Sequence, residues 1–324
     1  MSAQYPMILV TGATGFLGSE LALQLVTRGN NIRCTKRSSS VIPEILLPHQ
    51  SEIEWVEADL ADIFAFEDAL DGISQVYHCA AWVSLKRKDK KPMIRANITG
   101  TANLVNLCMQ HSVRLVHVSS VAALGLAKRG ELTAENHQLD LDHEDDGYAI
   151  SKLESEMEVW RGIAEGLDAV IVNPALILGK NAGNNGSGKL FELIRKGFKF
   201  YTSGSGGFVD VEDVAKCMIA LMATKISGER FIISAENRDF KSVTADIALA
   251  YGIKPPSIYA SPWMMGLGWR GAAFIAAFTG GDPAIDKISA QSASMHRDYD
   301  NTKIRKAIGI HFKPISETIK ETCG

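Results

Sequence analysis

Tyr148 and Lys152 carry side chains suited to proton transfer, and they lie four residues apart. On a helix this spacing places both side chains on one face. A tyrosine hydroxyl has an ordinary pKa of about 10, and a neighbouring lysine cation lowers that pKa because it favours the phenolate. Most tyrosine–lysine pairs at this spacing are surface residues of helices, so the pair alone does not define an active site.

Ser120 is the residue that gives the pair a functional context. It ends the apolar run 115–120, which is predicted as a strand. Ligands of parallel sheets bind beyond the carboxyl ends of the strands. A serine there, followed by a helix that begins near Tyr148, predicts a site for acid/base chemistry on a bound oxygen.

A glycine-rich stretch near the N-terminus indicates a phosphate-binding turn. Its three glycines, spaced by three, lie between the apolar run 7–10 and a helical pattern over 19–26. We expect the first glycine to permit a tight turn, the second to let the backbone approach a pyrophosphate, and the third to let the helix pack closely on the sheet. Free amides at the helix start would face the phosphate oxygens. The nucleotide contacts expected from this turn are Thr11, Gly12, Thr14, Gly15, Phe16, Leu17 and Gly18.

Composition and charge exclude several classes of protein. The chain has 324 residues and a net charge of -3, so nothing suggests a nucleic-acid partner. Its five cysteines form no Cys-x-x-Cys pair, which favours reduced thiols in the cytoplasm, and its eight histidines show no metal-ligand spacing. No signal peptide is expected before the first strand. The apolar segment 262–278 is shorter than the roughly 20 residues of a membrane span, which favours a core helix or the wall of a substrate pocket.

Strands and helices alternate along the first half of the chain. Strands are predicted at 31–37, 53–60, 75–81, 115–120 and 169–173, with helices at 64–70 and 93–110, so an α/β, Rossmann-like, doubly wound parallel sheet follows. We expect residues 1–173, plus about 208–235, to form the dinucleotide-binding domain. Residues 174–207 and 236–324 would form a smaller, mostly helical substrate lobe. The glycine-rich stretches 179–188 and 203–207 are predicted as loops.

From about residue 7 to residue 215, these motifs follow the order found in the extended short-chain dehydrogenase/reductase family, of the NAD-dependent epimerase/dehydratase type, and the chain resembles that family. The resemblance implies that Ser120 holds the substrate oxygen, that Tyr148 is the general acid/base, and that Lys152 binds the ribose and tunes the tyrosine. It further implies a bracing role for Asn97 beside the fourth strand. The remaining cofactor contacts that it implies are Asp59 and Leu60 near the adenine, Cys79, Ala80 and Ala81 after the fourth strand, and Asn173 and Pro174 after the sixth.

Two features resemble the ketone and aldehyde reductases within the family, of the dihydroflavonol-reductase and cinnamoyl-CoA-reductase type. One is the Asn-Pro-x-x-x-Leu-Gly form of residues 173–179, where sugar-nucleotide epimerases more often carry an arginine. The other is the basic end of the second strand. The cinnamoyl-CoA-reductase motif around Tyr148 is absent, so a coenzyme A thioester substrate is not implied.

The end of the second strand also favours NADP over NAD. Lys36 and Arg37 lie there, and cations suit a 2'-phosphate, whereas NAD-preferring proteins place an acidic residue at this point. A pair of solvent-facing cations is the alternative interpretation.

The expected function is NADP(H)-dependent reduction of a ketone or aldehyde, with Tyr148 protonating the oxygen. Two alternatives remain: a nucleotide-sugar epimerase or dehydratase with tightly bound NAD(P), and a non-catalytic NADP sensor. The expected partner is a small carbonyl compound, and homodimer formation is left open. An apolar substrate is predicted from large apolar side chains that could line its pocket: Trp263, Met264, Met265, Trp269, Phe274 and Phe278. The alternative interpretation is that these side chains belong to the hydrophobic core.

Overall fold

A seven-stranded parallel sheet forms the centre of the molecule. The computed structural model describes residues 7–59, 62–84, 87–128, 130–141, 146–183, 186–261, 263–266 and 293–324. The sheet strands are β1 (Met7–Thr11), β2 (Ile32–Lys36), β3 (Ile53–Glu57), β4 (Ile73–His78), β5 (Arg114–Val118), β6 (Ala169–Pro174) and β10 (Glu229–Ile233). They lie in the order β3-β2-β1-β4-β5-β6-β10. The strand order reverses between β1 and β4, which is where ligands of such sheets bind.

Helices cover both faces of this sheet. They are α1 (Phe16–Thr27), α2 (Ile63–Ala69), α3 (Lys90–Gln110), α4 (Gly147–Ala164), α5 (Ser187–Arg195), α6 (Val211–Met222), α7 (Phe240–Ala250), α8 (Thr302–Ile308) and α9 (Ile315–Cys323). One core cluster joins the sheet to α1 and α6, and a second joins it to α2, α3 and α4. The predicted doubly wound, Rossmann-like fold is confirmed.

Alternation along the strands explains why both clusters form. On β5, Leu115 packs with the α3 and α4 side, whereas Val116 packs with the α1 and α6 side. The same division separates Leu9 from Val10 on β1. Because a parallel sheet buries both faces, its central strands are mainly apolar, and these four side chains are fully buried.

A second sheet lies in the later part of the chain and corrects one prediction. It contains β7 (Leu176–Leu178), β9 (Ser205–Asp210), β11 (Glu236–Asp239) and β13 (His296–Arg297), with β9 at its centre. The short strands β8 (Phe200–Tyr201) and β12 (Ile258–Tyr259) pair with each other separately. The stretch 203–207 was predicted as a loop, but Ser205 to Gly207 form the start of buried β9. A Cβ on Gly207 would lie only 2.6 Å from Ser234 Oγ, so this glycine permits close packing within a strand and does not mark a turn.

Two further predictions meet the described residues only in part. The helix predicted over 262–278 lies outside them except for 263–266. The glycine-rich stretch from 179 ends earlier than expected, because α5 begins at Ser187. Among the described helices, none combines the length and the apolar character that crossing a membrane requires.

Candidate active site

The carboxyl ends of β1, β4 and β5 bring the predicted site residues to one edge. Thr11, His78 and His117 are register partners across these three strands. The glycine turn, the segment 79–81 and Ser120 each follow one of these strands. The structure therefore places the three motifs side by side, although 109 residues separate Thr11 from Ser120 in the sequence.

The glycine turn forms a cradle from its backbone. Gly12 has a φ of +71°, and a Cβ there would lie 2.6 Å from the Ala80 backbone nitrogen. A Cβ on Gly18 would collide with the Gly12 carbonyl oxygen. Gly15 is exposed and precedes α1 with no side-chain cap, so the first amides of the helix have no partner within it. This arrangement fits the pyrophosphate of a dinucleotide.

A buried polar chain ties this cradle to β4. Thr11 Oγ1 lies 2.7 Å from His78 Nδ1 and accepts a hydrogen bond from the Ala80 amide at 3.2 Å. The other ring nitrogen of His78 lies 3.3 Å from Thr101 Oγ1. Burial lowers the pKa of His78 to about 3, with a smaller contribution from the Lys152 cation. The imidazole is therefore neutral and acts as a structural link.

Tyr148 lies in the first turn of α4 and faces Ser120. The Asp146 carboxylate accepts a hydrogen bond from the Tyr148 amide at 2.9 Å, which starts the helix at this point. The Ser120 side chain lies close enough to the Tyr148 hydroxyl to act on its pKa. Burial raises the pKa of Tyr148, interaction with the Ser120 side chain lowers it, and the Asp146 charge raises it. The hydroxyl is consequently protonated at neutral pH.

Lys152 is buried beneath the same edge. It is 7% exposed, and its Nζ donates a hydrogen bond to the Val118 carbonyl oxygen at 2.9 Å. Burial lowers the pKa of Lys152 to about 8. Electrostatic interactions with Cys79 and Glu156 act in the opposite direction and raise it. We expected Lys152 to lower the pKa of Tyr148, but that pKa is raised because burial is the largest influence on it. The Lys152 ammonium is directed at the Val118 carbonyl oxygen.

Glu156 is a site residue that the sequence interpretation missed. Its carboxylate is fully buried and accepts hydrogen bonds from Arg230 Nη1 at 2.8 Å and from Asn173 Nδ2 at 2.9 Å. Asn173 Nδ2 also lies 2.9 Å from the Ser120 carbonyl oxygen. The spacing of four from Lys152, on the same face of α4, was the signal that could have found it.

Asn173 and Pro174 lie at the carboxyl end of β6. Both residues are buried within β6. The Asn173 amide nitrogen donates to the Ser120 carbonyl oxygen and to the Glu156 carboxylate, so its side chain joins these two residues. Contact of Asn173 and Pro174 with a cofactor stays a prediction.

Asn97 holds the segment that follows β4. Its side-chain oxygen accepts a hydrogen bond from the Trp82 amide at 2.7 Å, and its nitrogen donates to the Trp82 carbonyl at 2.8 Å. The same nitrogen lies 2.8 Å from Ser151 Oγ on α4. Asn97 thus links the end of β4 to the helix that carries Tyr148 and Lys152.

The two cations at the end of β2 have different surroundings. Lys36 Nζ forms an ion pair with Glu57 at 3.0 Å, on the neighbouring strand β3. Arg37 is exposed, and its guanidinium has no ion pair or hydrogen bond within the described part of the chain.

Asp59 is exposed just beyond β3, and Leu60 lies outside the described residues. Cys79, Ala80 and Ala81 are partly exposed beside the glycine turn.

A polar cavity of about 290 Å³ lies away from this edge, in the second sheet. Ser205 donates a hydrogen bond to Asp298 Oδ1 at 2.8 Å and lies 3.1 Å from His296 Nδ1. The described residues contain no group of three or more histidine, cysteine or acidic side chains arranged to hold a metal ion.

Comparisons with known proteins agree on one family. Residues 8–234 match the model of the NAD dependent epimerase/dehydratase family. A putative dihydroflavonol 4-reductase of a Synechocystis species is 27% identical over 96% of this chain and 92% of that protein. Sterol demethylase protein B of Methylococcus capsulatus is 30% identical over 79% of this chain and 78% of that protein. The structure of UDP-glucose 4-epimerase from Thermus thermophilus, in complex with NAD, superposes with a TM-score of 0.76 at 21% identity, covering 98% of this chain and 97% of that one.

Proposed function

The chain belongs to the NAD-dependent epimerase/dehydratase family and is an NAD(P)-dependent oxidoreductase, and from this premise we propose that it reduces a ketone or aldehyde to an alcohol with NADPH. The observation that carries the proposal is the approach of the Ser120 side chain to the Tyr148 hydroxyl at the carboxyl edge of the sheet, close enough to lower the pKa of the tyrosine. A hydroxyl pair there suits a substrate oxygen that gains negative charge as it is reduced. The similarity to a putative dihydroflavonol 4-reductase supports the same reaction class.

Each residue has a distinct proposed role. When bound, the reduced nicotinamide supplies a hydride to the carbonyl carbon. Ser120 donates a hydrogen bond to the carbonyl oxygen, and Tyr148 transfers its proton to that oxygen. The raised pKa of Tyr148 suits this direction because it keeps the acid protonated at neutral pH. Lys152 is proposed to hold the ribose, and the glycine turn to hold the pyrophosphate.

NADP is the proposed cofactor, and Arg37 is its proposed 2'-phosphate ligand. Lys36 is already neutralised by Glu57, so it has less to contribute than the sequence alone suggested. Arg37 is exposed at the end of β2 and has no partner within the described residues. A hydrogen bond between charged groups contributes about 1.5–3 kcal/mol, which corresponds to at least about tenfold in affinity.

A nucleotide-sugar epimerase is the second candidate, favoured by the family model and by the fold-level likeness to UDP-glucose 4-epimerase. Such an enzyme needs cations for the diphosphate of its substrate. In the described part of the lobe, Arg238 is paired with Asp246 at 2.8 Å, and Lys241 lies 4.6 Å from the ring centre of Tyr201. The engagement of Arg238 and Lys241 leaves these two cations less able to bind a diphosphate, which supports the reductase proposal.

The experiment follows net redox change. Purified protein is incubated with NADPH and a panel of aryl and alkyl carbonyl compounds, and NADPH loss is compared with the alcohol formed. A one-to-one ratio supports the reductase. Conversion of a nucleotide sugar with no net consumption of added NADPH would assign the chain to the epimerases instead.

A further inference from the structure

The segment that follows β4 is anchored at every second residue. The Ala80 amide donates to Thr11 Oγ1 at 3.2 Å. Trp82 is held at both its amide and its carbonyl by Asn97, at 2.7 and 2.8 Å. Ser84 is held by the residues ahead of it, with its amide 3.2 Å from Met93 Sδ and its Oγ 2.7 Å from Asp89 Oδ2. The backbone of residues 80–84 is therefore fixed.

This fixed backbone presents two large apolar side chains to solvent. Trp82 is 40% exposed and Val83 is 62% exposed. Exposed apolar area costs about 25 cal/mol per Å² relative to burial. A segment whose backbone is pinned this way cannot fold back to bury its own side chains. Contiguous exposed apolar residues on a rigid support are typical of a recognition surface.

The position of this segment indicates what it recognises. Asn97, which holds Trp82, also donates to Ser151 Oγ at 2.8 Å, and Ser151 directly precedes Lys152. The loop between β5 and α4 leaves the same edge of the sheet after Ser120. That loop exposes further apolar side chains: Leu126, Leu132 and Leu141. Apolar surface therefore flanks the reacting groups.

We propose that Trp82 and Val83 form a recognition platform that packs against the apolar body of the carbonyl substrate, and that the preferred substrates carry a flat ring system. The indole offers a flat face that stacks on rings, and its main chain is already immobilised, so binding orders little further. This inference rests on the proposed reductase function. It assigns substrate choice to the loop after β4, in addition to the C-terminal lobe.

The test compares two carbonyl compounds of different size. Values of kcat/KM are measured with saturating NADPH for 2-naphthaldehyde and for propanal, with the alcohol product quantified by chromatography. Trp82→Ala is expected to lower the ratio of the two kcat/KM values by about tenfold, which corresponds to about 1.4 kcal/mol. Trp82→Phe should keep most of the ratio because a ring remains.

Leu249→Ala is the matched control, since Leu249 is a 63% exposed apolar residue on α7 with no part in the site. Its ratio should equal that of the unaltered protein. NADPH affinity, measured by titration calorimetry, should be the same in all variants. The platform proposal is wrong if the ratio of kcat/KM values for Trp82→Ala stays within twofold of that for the unaltered protein. It is also wrong if a fall in NADPH affinity accounts for the change in that ratio.

Failure of the platform and failure of the reductase proposal are distinguishable. If the unaltered protein reduces no carbonyl compound, the reductase proposal fails, and the platform is tested by calorimetric binding of 2-naphthalenemethanol to protein saturated with NADP. Weaker binding to Trp82→Ala than to Leu249→Ala supports it, and equal binding overturns it. If Trp82→Ala instead converts a dimer to a monomer in sedimentation without changing the ratio, the surface binds a second copy and the proposal is wrong.

Discussion

At the scale of single residues, the Tyr148 hydroxyl lies at the carboxyl edge of the sheet, where it is proposed to protonate the substrate oxygen. The Ser120 side chain lies close to this hydroxyl, and burial raises the pKa of Tyr148 and keeps it protonated. Lys152 lies one helical turn further along, with its cation buried against the Val118 carbonyl. The first residue suits an acid, and the second suits a fixed positive charge beneath the cofactor.

Tyr148→Phe tests the acid directly. The variant keeps the ring but loses the proton, so we expect kcat to fall by a factor on the order of 10² to 10⁴, with nearly unchanged NADPH affinity.

Lys152→Met should lower both kcat and NADPH affinity, because the Lys152 ammonium is proposed to bind the ribose. Steady-state kinetics and calorimetry measure the two quantities. A Lys152→Met variant with full cofactor affinity would show that the proposed ribose contact is wrong.

The lowered pKa of Lys152 makes stability depend on pH. Its pKa is about 8 in the folded protein and near its ordinary value of about 10.4 when unfolded. Below pH 8, Lys152 is charged in both the folded and the unfolded protein, so the free-energy cost of burying its ammonium is fully present. Between the two pKa values the unfolded state binds more protons, so stability rises with pH.

We therefore expect the unaltered protein to gain about 2 kcal/mol of unfolding free energy relative to Lys152→Met between pH 7.5 and 9.5. Urea denaturation at the two pH values measures this difference. Because Lys152→Met cannot titrate at this position, it serves as the reference for every other group. Parallel pH dependence of the two proteins would contradict a lowered pKa.

Arg37 and Lys36 make a matched pair of cations for the cofactor prediction. Arg37→Ala should weaken NADPH binding by at least about tenfold while changing NADH binding little, because only NADPH has the 2'-phosphate. Lys36→Ala should have the smaller effect, since Glu57 already neutralises Lys36. Calorimetric titration of both nucleotides decides between them. Tighter binding of NADH than NADPH by the unaltered protein would refute the choice of cofactor.

At the scale of elements, the turn between β1 and α1 uses its glycines for different purposes. Gly15 is exposed, and a Cβ there would meet only the Gly12 carbonyl oxygen, at 3.3 Å. Gly18 is buried, and a Cβ there would collide with that same oxygen. The space beside Gly15 faces solvent, whereas the space beside Gly18 is filled by the protein itself.

This contrast predicts that the two substitutions separate stability from cofactor binding. Gly18→Ala should lower the unfolding free energy by about 1–3 kcal/mol, because the backbone must shift to admit a methyl group. Gly15→Ala should leave stability nearly unchanged but weaken NADPH binding, since its methyl group would occupy the space proposed for the pyrophosphate. Thermal unfolding without nucleotide, together with titration, measures both. Equal destabilisation by the two variants would contradict the assignment.

At the scale of the whole molecule, a strand from late in the chain supports the site. Arg230 on β10 pairs with the buried Glu156 carboxylate at 2.8 Å. Its guanidinium also donates to the carbonyls of Glu135 and His137, in the loop between β5 and α4. Asn173 continues the network to Ser120. One arginine thereby joins the last strand of the sheet, the helix that carries Tyr148 and Lys152, and the loop beside it.

Arg230→Met should therefore be among the costly single changes. It leaves the Glu156 carboxylate buried without its cation, which typically costs about 3–5 kcal/mol of unfolding free energy. The double variant Arg230→Met with Glu156→Gln removes the uncompensated charge and should recover part of the loss. Urea denaturation of the single and double variants measures the recovery. A double variant less stable than Arg230→Met by the full cost of Glu156→Gln alone would show that the two residues are independent.

The sequence by itself determined the fold and the chemistry-bearing motifs. Apolar strands alternating with helical patterns predicted a parallel sheet, because a parallel sheet is buried on both faces and its strands read as continuous apolar runs. The spacings of Gly12, Gly15 and Gly18, and of Tyr148 and Lys152, were legible because the contacts they make are local, within one turn or one helix.

Only the tertiary structure decided how these motifs are supported. The stretch 205–207 was predicted as a loop because glycine is typical of turns, yet its packing against Ser234 makes it a strand. Burial raised the pKa of Tyr148, although spacing alone predicted that Lys152 would lower it. The Lys36–Glu57 pair depends on the register between β2 and β3. These outcomes depend on long-range contacts and on desolvation, and neither is encoded in the spacing of residues along the chain.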